Sequence, residues 1–179
     1  FIMRRFIILL ITPFFILSCG PGKNNDSLIS FRVYCEMVAN GAKPIALHDP
    51  MESEEMGVLW QDFERIAEDH NVLLYRENSF PVSLLFPAES TRNKSVVLIY
   101  NGSRLKQYQQ WKSDVQNVNT DSKEQEALAR RLGRLLGYDA QGINDLLSKN
   151  SAYRSLKSFG LEGQITHLYY ENLRTTINF

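Results

Sequence analysis

Apolar residues recur at helical spacing over residues 28–40, where Leu28, Phe31, Cys35 and Val38 share one side and Asn40-Gly41 closes the run. Residues 42–48 form a short extended piece, and Pro44 argues for a sheet edge. Asp49-Pro50 marks a turn. Residues 52–70 are clearly amphipathic: Met56, Leu59, Phe63 and Ile66 line one face, and acidic residues crowd the first turn, where the helix dipole favours them. Three apolar runs then read as strands, over residues 71–76, 81–86 and 94–100, with 90–94 as a hairpin loop.

Helical spacing returns over residues 103–118, with Leu105, Tyr108, Trp111 (or Lys112) and Val115 on one side. Asp121 and Glu124 have the spacing of a capping box, ahead of a stripe of Leu128, Leu132 and Leu135. Gly137 is the expected stop. Asp139 begins a short helix to residue 149 that uses Ile143, Leu146 and Leu147, and residues 151–159 add a turn or two. Residues 164–179 fit a strand or a helix equally. The pattern predicts an α+β fold: a small, mostly antiparallel sheet of three to four strands packed with about five helices.

The first nineteen residues do not belong to this pattern. Met3 is the expected initiation residue, and Arg4 and Arg5 form a short positive segment. Phe6 to Leu17 is a run of 12 residues, apolar except for Thr12 and Pro13. As a helix it would cover roughly 18 Å, against a hydrocarbon core of ~30 Å. That is the design of a cleaved export signal, too short to be a membrane span. The run closes on Ile16-Leu17-Ser18-Cys19, which resembles the lipobox of bacterial lipoproteins: an aliphatic residue, a variable one and a small one before a cysteine. Leu17 is bulkier than the usual occupant of its position.

The resemblance covers residues 3–19 and is silent about the fold that follows. It implies that residues 1–18 are a signal peptide, that Cys19 receives diacylglycerol, and that cleavage leaves Cys19 at the new N-terminus. Residues 19–27 would then be the lipidated cysteine and a flexible tether, and 28–179 a single globular domain. Eight Gly-, Asn- and charge-rich residues, 20–27, would span about 16 Å. The implied location is the cell envelope, and Gly20 after the cysteine leans toward the outer membrane. The implied partners are the membrane, through lipid on Cys19, and a protein or other envelope component. With Cys19 lipidated, Cys35 has no internal partner and reads as a buried, inert thiol; an intermolecular disulfide is the alternative.

The formal charge is zero and becomes about −2 once residues 1–18 are removed with Arg4 and Arg5. No global field draws the chain to nucleic acid. The spacing of two helices about Gly137-Tyr138-Asp139, with Arg130, Arg131 and Arg134 beside them, is like that of a helix-turn-helix. DNA binding would need a cytosolic chain, whereas an anchored one could offer those arginines as a basic contact face to anionic lipid or protein.

Chemical motifs are sparse. His48-Asp49, followed by Glu52, Glu54 and Glu55, is the richest polar stretch, and His48, Asp49 and His167 are the candidate catalytic residues. A turn leading into an acidic helix start accounts for the same residues at 48–55. The three histidines lack metal-ligand spacing; Asn117, Asn119, Asp121 and Glu124 lack the EF-hand glycine; no nucleophile-elbow, phosphate-loop or dinucleotide fingerprint is present. No metal or cofactor is expected. Phe80, Phe86, Tyr100, Tyr108 and Trp111 read as core, or alternatively as a ligand groove between sheet and helix. The expectation is a non-catalytic, membrane-anchored binding or structural module; an exported enzyme with a site assembled from distant residues is the alternative, and a cytosolic helix-turn-helix protein the second.

Overall fold

The central feature is a strand with no polar face. In a computed structural model, which describes residues 23–118 and 122–158, strand β3 (Val96–Tyr100) lies in the middle of a three-stranded antiparallel sheet of order β1-β3-β2. β1 (Ile45–Leu47) pairs with it through Ile45 opposite Tyr100 and Leu47 opposite Leu98. β2 (Leu73–Glu77) pairs from Leu73 opposite Tyr100 to Glu77 opposite Val96. Successive strand residues point to opposite faces. Val97 and Ile99 therefore enter one core with Phe31, Phe63 and Ile66, and Val96 and Leu98 enter a second with Tyr108, Trp111 and Leu132. An unbroken apolar run is what such a doubly covered strand requires.

Helices α1 (Lys23–Ala39) and α2 (Ser53–Asp69) cover the first face. The short α3 (Ala88–Thr91) lies in the β2–β3 connection. α4 (Arg104–Asn117), α5 (Ser122–Leu135) and α6 (Ala140–Ser158) supply the second layer. The result is the predicted α+β fold, with three antiparallel strands and six helices among the described residues, and the sheet lies between two helical layers.

Four details differ from the sequence reading. Residues 81–86 are not a strand: Pro81 and Pro87 lack amide donors, the Leu85 amide turns back to the Ser83 hydroxyl (3.2 Å), and Leu85 is buried as a plug rather than paired in the sheet. The β2–β3 connection is consequently not a tight hairpin, and α3 occupies part of the expected 90–94 loop. Helix α6 runs without interruption to Ser158. Finally, α1 begins at Lys23, so residues 23–27 are helix rather than tether. A first helical turn need not bury apolar side chains. Asp26 suits the dipole there, and the Ser27 carbonyl is held by a tertiary contact with His48.

The α5–α6 turn follows its predicted chemistry. Gly137 takes φ +81°, its amide bonds Arg134 and the Tyr138 amide bonds Gly133, both at 3.0 Å, which is a Schellman stop. Asp139 Oδ1 accepts from the Gly142 amide at 2.7 Å and starts α6. Lys43 donates to the Leu136 carbonyl (3.1 Å) and lies over the Tyr138 ring, tying the lead-in to β1 to this corner.

Candidate functional site

His48 follows β1 directly and turns into the first core. Its ring packs against Phe31 and Phe63, with centroids 5.5 and 5.3 Å away. Nε2 lies 3.1 Å from the Ser27 carbonyl, which can only accept, so the proton of the neutral ring sits on Nε2. Ser30 Oγ is 3.3 Å from the same nitrogen and donates to Ser27 O at 3.0 Å. Burial is the larger influence on His48 and lowers its pKa below the ordinary 6.5; the Ser27 carbonyl and the Asp49 charge oppose it. Asp49, the other half of the sequence pair, is exposed, as are Glu52, Glu54 and Glu55. The arrangement makes His48 a clasp between α1 and the sheet.

A testable pH dependence follows. Between its depressed folded pKa and 6.5, the unfolded chain binds more protons at His48 than the folded chain. The stability contributed by neutral His48 is therefore complete above about 6.5 and is lost as pH falls through 6.5 toward the folded value. Urea midpoints from neutral pH downward will fall less steeply for His48→Gln than for the wild type. Parallel slopes would remove His48 from the acid response.

The second core contains a polar cluster that the sequence reading missed. Glu77, the last residue of β2, is 2% exposed. Both carboxylate oxygens receive the Lys112 ammonium, at 2.8 and 2.7 Å, while Tyr108 Oη donates at 3.0 Å and the Ser79 amide at 2.7 Å. Tyr108 and Lys112 stand four apart on α4 and so present one face. Burial, then the Glu77 charge, pushes the Tyr108 hydroxyl well above its ordinary pKa and keeps it a donor. Helical spacing offers either Trp111 or Lys112 for the inward position of α4. Both are used: the indole is fully buried, and Lys112, 21% exposed, folds back to Glu77.

Beside this cluster a groove of about 350 Å³ opens between residues 79–84, α4 and α5. Val82, Val115 and Leu128 line it with apolar surface over the buried Trp111, and Ser79, Ser83, Gln116 and Gln125 supply uncharged polar groups. No charged side chain belongs to the lining. Such a surface can hold an uncharged, mainly apolar segment and fix it by a few hydrogen bonds. The aromatic stretch of the sequence reads as core: Phe80, Tyr108 and Trp111 are buried together, and the groove beside Trp111 lies between helices and a loop, not between sheet and helix as the alternative reading placed it.

The basic candidates are partly engaged. Arg130 binds Glu126 (2.7 Å) and Asn144 (2.7 Å), and Arg131 pairs with Asp114 of α4. Arg134, in the last turn of α5, is exposed. Asn117 bonds the Ser113 carbonyl one turn back. Cys35 is fully buried and free, and burial pushes its thiol up to about 12. Cys19, Asn119, Asp121 and His167 lie outside the described residues. Among the described residues, no group of three or more His, Cys, Asp or Glu is placed to hold a metal ion, and no helix is long and apolar enough to cross a membrane.

Comparison with known protein families, with curated proteins and with solved structures finds no match to this chain. Its functional reading therefore rests on its own residues.

Proposed function

We propose that this protein is a lipid-anchored component of the bacterial cell envelope that holds a partner without transforming it. The observation that carries the reading is Ile16-Leu17-Ser18-Cys19 at the end of a 12-residue apolar run, close ahead of a folded domain. Each buried methylene contributes ~0.8 kcal/mol, and one acyl chain alone binds reversibly, so the two or three chains on a processed Cys19 would hold the domain durably.

Three features support the non-catalytic half. Nε2 of His48 is committed to joining α1 to the sheet, and the carboxylate of Glu77 is saturated by four donated bonds. The groove beside Trp111 offers apolar walls and uncharged handles, which suit retention of an uncharged segment more than proton transfer.

Metabolic labelling with a clickable palmitate analogue tests the anchor. The wild-type chain incorporates label and fractionates with membranes; Cys19→Ser incorporates none and accumulates uncleaved. An unlabelled wild-type chain with residues 3–18 intact in the soluble fraction would sink the reading.

A further inference from the structure

We propose that α1 lies along the lipid surface and inserts Ile29, Val33 and Met37 into it, so that the domain is held in a fixed orientation instead of swinging on its anchor; this rests on the lipid-anchor reading of Cys19.

These three residues are 56%, 43% and 36% exposed. They recur every four positions, which places them in one stripe along the outer face of α1. The opposite face of the same helix is spent on the core through Phe31, Cys35 and Val38. Helix α1 is therefore apolar on two sides, and one of them is left uncovered among the described residues. Isolated exposed apolar residues are ordinary, but a continuous stripe on one helix is a contact surface.

The position of the anchor identifies lipid as the occupant. Only Gly20, Pro21 and Gly22 separate Cys19 from the start of α1 at Lys23. Even fully extended, the four steps from Cys19 to Lys23 reach at most about 14 Å. The stripe then falls about 9, 15 and 21 Å along the helix axis. A chain acylated at Cys19 cannot carry this helix far from the headgroups, and a shallow apolar stripe suffices where the effective concentration of its target is so high. The His48 clasp on Ser27 and the Phe31–Phe63 stack, with centroids 4.1 Å apart, fix α1 to the body, so its contact would orient the whole domain. Asp26 stands one turn ahead of Ile29 on the same side and keeps that end of the stripe at headgroup level, and Arg32 and Glu36 flank it. With Lys23 the helix carries two basic and two acidic residues and no net charge, so the contact is with zwitterionic lipid and does not depend on anionic headgroups.

The test uses the full lipidated chain in phosphatidylcholine vesicles. A polarity-sensitive fluorophore is placed at Val33→Cys or, in a second chain, at Met37→Cys; Val58→Cys on α2, 72% exposed, is the control. Cys35 is fully buried and stays unlabelled, and acylation blocks Cys19. The expected result is a blue shift at positions 33 and 37, with most of the emission lost to nitroxide-bearing lipids, and neither effect at position 58. Behaviour at 33 and 37 like that at 58, with the chain still floating with the vesicles, overturns the proposal and leaves the anchor intact. A blue shift that rises with protein density and is not quenched by the nitroxide lipids assigns the stripe to a second copy and also overturns it. Loss of flotation with an unmodified Cys19 by mass spectrometry removes the anchor reading, and this one with it.

Discussion

Glu77→Ala will destabilise the fold by about 3–5 kcal/mol, the largest effect expected of any single polar substitution here. The wild-type carboxylate is 2% exposed, yet it is matched by a cation and two neutral donors. Removing it leaves the Tyr108 hydroxyl buried without its acceptor and strands the Lys112 ammonium, which is 21% exposed and only partly able to reach water. The loss comes mainly from groups left unpaired, rather than from the net value of an ion pair that had to be desolvated to form. The reading is testable because it predicts rescue. Glu77→Leu combined with Lys112→Met removes both charges and keeps apolar volume, so it recovers most of the deficit; adding Tyr108→Phe removes the last orphaned hydroxyl and recovers more. Denaturant unfolding measures each step. A double variant no more stable than Glu77→Ala would show that the cluster matters through packing rather than charge.

Trp111→Ala comes next, at about 3–5 kcal/mol. Its indole is fully buried between Tyr108 and Phe80, with ring centroids 5.6 and 5.9 Å away, and Nε1 donates to the Leu128 carbonyl of α5 at 3.0 Å. It thus joins α4 to α5 and lies directly beneath the groove. Trp111→Phe retains ring contacts and loses the donated bond and some volume, so about 1–2 kcal/mol is expected. The truncated chain also has an enlarged groove. A small apolar probe such as indole will bind the alanine chain more tightly than the wild type and partly restore its stability. Trp60 is half-exposed, with Nε1 donating to Glu64 at 2.7 Å, so the blue component of the native emission belongs to Trp111 and disappears in both variants. An unchanged emission spectrum would contradict the buried placement.

These two residues also show what could be read in advance. Trp111 was legible as core because Leu105, Tyr108 and Val115 share its periodicity. Glu77 was not, because a lone acid at the end of an apolar strand ordinarily marks the exit to solvent. Only the approach of Tyr108 and Lys112, more than thirty positions later, makes its burial affordable. Likewise His48 beside Asp49 resembles a catalytic pair in one dimension, while in three the ring enters the core and the carboxylate stays exposed. A signal did exist for Glu77: Tyr108 and Lys112 stand one helical turn apart and frame Trp111, so a lysine had to lie at the edge of the buried face.

Sequence alone determined the elements whose information is local. The apolar run of β3, the stripe of α2 and the stop at Gly137 with the cap at Asp139 are each decided by neighbours within a turn or two, through side-chain period or backbone φ. Tertiary structure decided whatever depended on a distant partner. Residues 81–86 are apolar enough for a strand, but their prolines and the space beside α6, where Asn150 bonds the Leu84 and Phe86 carbonyls at 2.8 and 3.2 Å, make them a buried turn. At the polar start of α1 the Ser27 carbonyl is held by His48, twenty-one residues away. Periodicity reports which face of an element is buried, whereas the burial of a polar group depends on whether the fold brings it a partner, and that partner has no fixed spacing in the chain.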